Sequence, residues 1–83
     1  MFMNLYETLL TRIVVDPNIM VGKPVIKGTR IPVQQILDAL VQGMSFDDIE
    51  QEYKNITNQD ILACLAFASQ TLAQTTFTPL SIS

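Results

Sequence analysis

Three prolines and two glycines fall within eighteen residues, Asp16 to Val33 (DPNIMVGKPVIKGTRIPV), so no long regular element can run through that stretch. Pro17, Pro24 and Pro32 each fix φ and lack an N–H, which keeps them out of the middle of a paired strand. Gly22 and Gly28 supply positions where the backbone can turn tightly. Between them lie only short apolar pairs, Val25-Ile26 and Ile31 with Val33. The pattern predicts a compact, turn-rich β segment over residues 12–33, with Lys23, Lys27 and Arg30 on its rim and a helix starting at Pro32. Ile13 to Val15, β-branched and halted by Asp16-Pro17-Asn18, supplies a strand to pair with the Val25–Ile31 region.

Helical periodicity governs the chain on both sides. Phe2, Leu5, Tyr6, Leu9 and Leu10 make the stripe of a short first helix, with Asn4 and Glu7 spaced as a capping pair. After Pro32, the residues Val33, Ile36, Leu37, Leu40 and Val41 form one apolar face, ended by Gly43. Ser45 caps a short helix that turns Phe46, Ile49 and Tyr53 inward and places Asp47 and Asp48 at the positive end of its dipole. Thr57 caps the longest helix, which runs to about Gln74. On this last helix Ile61, Leu65, Ala68 and Leu72 share a face, but apolar residues continue nearly all the way round. Such a helix needs neighbours on more than one side.

An 83-residue chain has few elements to supply them. It makes one domain, 1–83, and one of this size buries only about 60% of its unfolded surface. Its residues are 48% apolar and 16% charged, a balance that favours coverage by a second subunit. The expected fold is mainly α: a trihelical core over 33–74, a short N-terminal β segment, and an extended tail over 75–83. Leu62, Ala63 and Phe67, which lie off the main face, are the candidate partner interface. Phe77, Leu80 and Ile82 of the tail join them, since Pro79 confines the tail to an edge or to solvent.

Several chemistries are disfavoured. The chain has no histidine, hence neither the commonest metal ligand nor the usual neutral-pH acid–base group. Asp47, Asp48, Glu50 and Glu52 do not share a helical face, so they read as solvated acids rather than a metal set. GKPVIKGT lacks the Gly-x4-Gly-Lys-Ser/Thr order of a phosphate loop. Cys64, the lone cysteine, cannot form an internal disulfide and reads as a packing residue in a reducing compartment. No cofactor and no enzymatic activity are expected. The opening MFMNLYETLL has no early cation and is a poor secretory leader, and no apolar run approaches a membrane span, so a cytoplasmic location is expected.

Charge is split along the chain. Residues 1–30 carry a balance of +2 and residues 31–83 one of −5. A polyanion would meet the first part and a cationic partner the second. Three helices with short links admit a helix-turn-helix reading, although spacing alone favours a plain bundle. The would-be recognition helix has no Lys or Arg, so only Asn58 and Gln59 could read a base edge. Phosphate contacts would fall to Lys23, Lys27 and Arg30, residues that fit a solvated loop rim equally well.

The run from Asp16 through GKPVIKGTRIPV, the helix closed by Gly43 and the two capped helices closely resembles the bacterial family labelled domain of unknown function 433. The resemblance covers residues 12–68, and GKPVIKGTRIPV is its most specific part; Val21 stands where many members carry a second glycine. The resemblance implies a homeodomain-like helical core and a non-enzymatic antitoxin of VapB type; the homodimer is expected from the over-apolar last helix. The resemblance also implies a PIN-like nuclease toxin as partner, operator DNA as a possible second one, and no catalytic residue.

Overall fold

The computed structural model describes residues 4–76. Among these there are four helices and a two-stranded sheet. The order is α1 (Leu5–Leu10), β1 (Ile13–Val14), a 3-10 turn (Met20–Gly22), β2 (Val25–Ile26), α2 (Val33–Val41), α3 (Phe46–Glu52) and α4 (Asn58–Gln74).

Local chemistry sets most of the boundaries. Asn4, Ser45 and Thr57 each accept the backbone N–H of the residue three positions on, and Glu7, Asp48 and Asp60 each return a bond to the cap's own N–H. The Ser45 bonds hold the Asp48 carboxyl below its ordinary pKa, because they favour its ionised form. At the end of α2, Gly43 takes φ 96°. The Met44 N–H donates to the Ala39 carbonyl at 3.1 Å and the Gly43 N–H to that of Leu40 at 3.0 Å, which closes a Schellman motif.

The proline-rich stretch forms the expected turns. Asp16 accepts the Ile19 N–H at its carbonyl (2.9 Å) and the Asn18 N–H at Oδ1 (2.8 Å). β1 and β2 pair antiparallel, Ile13 with Ile26 and Val14 with Val25. The ladder continues where the Lys27 N–H meets the Arg12 carbonyl at 2.8 Å. Beyond β2 the chain folds back, with Ile26 N–H on the Ile31 carbonyl and Val33 N–H on the Pro24 carbonyl. The Thr29 hydroxyl donates to the Ile26 carbonyl and accepts the Ile31 N–H, and Gly28 adopts φ 81°. This loop seats Pro32 as the residue that starts α2.

Met20 and Val21 adopt φ of 51° and 56°. A β-branched residue rarely tolerates that region, and Val21, 93% exposed, gains no burial in return. Val21→Gly should therefore stabilise the protein. Relief of about 1–2 kcal/mol of strain exceeds the ~0.5–1 kcal/mol of added unfolded-chain entropy. The net gain of about 0.5–1 kcal/mol corresponds to a rise of about 2–8 °C in Tm by calorimetry.

Ile36, Ile49 and Ile61, one from each of α2, α3 and α4, are fully buried at the centre of the main core, with Ile26, Ile56 and Cys64 around them. A second, smaller cluster joins Leu9 of α1 to Ala63 and Ala66 of α4. α4 is thus covered on two sides by its own chain. This corrects the expected register: Leu65 is exposed, and the small residues Ala63, Cys64 and Ala66 are the ones enclosed. Small side chains let α1 and α2 approach α4 closely, whereas the bulkier Leu65 stays at the surface. On α2, Val41 is likewise 85% exposed and Ala39 takes a place in the core instead. Arg12 ties the N-terminal segment to the start of α4 through a 3.1 Å ion pair with Asp60.

Burial raises the Cys64 thiol to about 12, with the nearby Asp60 charge adding to the effect. A thiol raised this far in the folded chain stabilises it below the ordinary value of 9.0, and that contribution fades as pH climbs towards 12. In the native protein Cys64 should resist a thiol reagent at pH 8 and react fully once unfolded in urea. Rapid labelling of the folded chain would contradict its burial.

Candidate functional site

α4 has seventeen residues and α2 has nine. At 1.5 Å per residue they span about 25 Å and about 14 Å, and residues 71–74 at the end of α4 are all exposed, so its last turn stands clear of the body of the fold. A groove of about 410 Å3 lies along this end of α4. One wall is Lys23, Pro24, Pro32, Val33, Gln34 and Leu37, from the β2 loops and α2. The other is Phe67, Ala68, Thr71 and Leu72 of α4. Leu72 is 59% exposed, although its position in the helical stripe marks it as inward-facing. The surface is concave, largely apolar and open to solvent, the form that suits an apolar segment of another molecule.

The cross-bonds described above hold this wall rigid. Val33 N–H on Pro24 and the Val25–Pro32 bridge fix the two prolines against each other. Proline has no N–H to donate into the groove and leaves an apolar ring face there. Phe67 packs partly into the core and partly lines the groove, so one side chain couples the site to the fold.

The candidate residues occupy distinct places. Lys23 is exposed at the groove wall, while Lys27 and Arg30 are exposed on the loop that joins β2 to α2. None of the three forms an ion pair with a described residue. Asn58 and Gln59 are exposed in the first turn of α4. Leu62 lies at the surface outside the groove lining, and Phe67 is in that lining. Ala63 is fully buried beneath α1, so it is not part of the free surface; its neighbour across the contact is Leu9. Phe77, Leu80 and Ile82 lie outside the described residues. Among the described residues, no three His, Cys, Asp or Glu side chains converge as a metal set. No helix there is long and apolar enough to cross a membrane.

Pro24, Pro32, Val33, Leu37 and Leu72 are groove residues that periodicity assigned to turns or to the core. The signal that could have found them is the length mismatch between the two helices. A family model described as "Protein of unknown function (DUF433)" matches residues 13–68. A crystal structure of a DUF433 member protein from Anabaena variabilis matches with a TM-score of 0.71 and 27% identity, over 86% of this chain and 70% of that one. An uncharacterized protein from Archaeoglobus fulgidus is 75% identical over 24 residues, 29% of this chain and 67% of the relative.

Proposed function

The chain belongs to the DUF433 family, whose description assigns no activity, and from the groove between α2 and α4 we propose that it is a non-enzymatic antitoxin that holds a partner protein. The partner is a PIN-like nuclease toxin, which the protein neutralises by binding. The open apolar groove carries this reading, because an unfilled surface of that chemistry favours a protein segment over solvent. The acidic α3, with Asp47, Asp48, Glu50 and Glu52, supplies a second patch suited to the basic surface of a nucleic-acid enzyme. Leu62 and Leu65, exposed on the outer side of α4, give a second copy of the chain a place to pair.

Co-expression with the product of the adjacent open reading frame tests the proposal. A stable complex and relief of toxicity are expected. Leu72→Glu should weaken that complex at least about tenfold, since a charge would enter an apolar contact, while leaving the helical content unchanged. A nuclease that neither co-purifies nor loses toxicity would defeat the reading.

A second reading rests on Lys23, Lys27 and Arg30, three exposed cations without described ion-pair partners on neighbouring loops. In it, α3 and α4 act as a homeodomain-like helix-turn-helix, the cations contact phosphates, and Asn58 and Gln59 face bases. Binding to the promoter of its own gene should then weaken with salt, and replacing Lys27 and Arg30 by Ala should lower the salt slope by about 2. Binding that ignores both substitutions would remove those residues from the contact.

A further inference from the structure

We infer that the α2–α4 groove takes an amphipathic segment of a partner protein, with apolar side chains on Leu37, Phe67 and Leu72 and a carboxylate paired with Lys23. The inference rests on the groove being the partner-binding site and adds the chemistry of what enters it. Among the described residues that line the groove, Lys23 alone carries a charge, and none is acidic. Lys27 and Arg30 follow on the next loop, both exposed, so three cations lie on this wall and the loop beside it although the chain as a whole is at −3. Half of the chain's acids sit on α3; the acid bonded to a groove residue is Asp38, whose carboxylate is outside the lining and accepts from the Gln34 amide at 2.9 Å. An occupant that is apolar and neutral would leave Lys23 beside an apolar surface and unpaired. A cationic occupant would be repelled, and one with a nearby Glu or Asp satisfies both features.

The groove's form selects a polypeptide. Its volume of about 410 Å3 is enough for a few apolar side chains, and its mouth is open, so a backbone can pass along it rather than being enclosed. An amphipathic helix would present side chains at i, i+3 or i+4, and i+7 to such a surface.

Two labelled peptides of about 14 residues test this, one with a Leu stripe at that spacing and Glu flanking it, the other with Lys in place of every Glu. Fluorescence anisotropy on the full chain at low salt should give at least about fivefold tighter binding of the acidic peptide. Lys23→Glu should reverse that order. Leu72→Glu should weaken the acidic peptide about tenfold, with an unchanged circular dichroism spectrum. Equal binding of both peptides, indifferent to Lys23→Glu, would overturn the assignment. So would binding that rises when Phe77→Ser, Leu80→Ser and Ile82→Ser are combined, which would give the groove to the chain's own tail. Competition by self-association, seen as weaker peptide binding at higher protein concentration, would give it to a second copy. If the nuclease complex forms and is weakened by Leu72→Glu but ignores Lys23→Glu, this inference fails and the antitoxin reading stands. If no nuclease is bound yet the charge preference holds, the reverse is true.

Discussion

Ile61→Ala should lower the free energy of unfolding by about 2–5 kcal/mol, measured by urea denaturation. Ile61 is fully buried where α2, α3 and α4 meet, with Ile36 and Ile49 in the same cluster. Removing three carbons there loses their transfer energy and leaves a cavity. The surrounding isoleucines are β-branched and held on separate helices, so they cannot collapse readily into it. A domain of this size has only about 4–12 kcal/mol of stability in total, so the variant loses a large share of it. Ile61→Val, which removes one carbon, should cost about 0.5–1.5 kcal/mol. A Leu65→Ala variant is the matched control: Leu65 is exposed, and its loss should cost well under 1 kcal/mol. Equal effects at positions 61 and 65 would contradict the orientation of α4.

Asp60→Ala carries the second large effect, a loss of about 2–3 kcal/mol. Asp60 is 7% exposed, and its carboxylate accepts three hydrogen bonds from two residues. Its Oδ2 accepts the Thr57 N–H at 3.0 Å and the Thr57 hydroxyl at 3.2 Å, while its Oδ1 accepts from Arg12 at 3.1 Å. Truncation strips a capping bond from α4 and removes the ion pair that holds the N-terminal segment on the helix. The cost stays below the about 3–5 kcal/mol of a fully buried pair, because the Arg12 side chain is 44% exposed and can return to water. Combining Arg12→Ala with Asp60→Ala should cost less than the two single changes added together, by roughly 1 kcal/mol in a double-mutant cycle. Strict additivity would show that the pair contributes nothing.

The parts of this fold that depend on local chemistry were legible from residues alone. Asn4, Ser45 and Thr57 announce three helix starts, and Gly43 one helix end, because capping is decided within four residues. The turn at Asp16 and a strand over Ile13–Val15 set against the Val25–Ile31 region follow from proline and β-branching in the same way, while the register of Ile13 on Ile26 and Val14 on Val25 is seen only in the structure. What residues alone misassigned is the sidedness of α4. Periodicity weights bulky side chains, so Leu65 looked inward and Ala63 free. The structure instead sets α1 and α2 against the small residues, and much of the apolar perimeter that seemed to need a second subunit is covered by the chain's own α1. The left-handed pair Met20-Val21 was equally hidden, since neither residue type favours that backbone region. The groove was only hinted at, by the unequal lengths of α2 and α4. It arises from where α2 and the β2 loop stop along α4, a relation between elements that no single segment encodes.

Methyl NMR of the complex with the neighbouring nuclease tests the central claim that the α2–α4 groove is where a partner docks. The methyl resonances of Val33, Leu37 and Leu72 should shift on addition of the nuclease, while those of Leu5 and Val41, exposed at other places on the surface, should not. Shifts confined to Leu5 and Val41, with the groove methyls unmoved in a saturated complex, would contradict it.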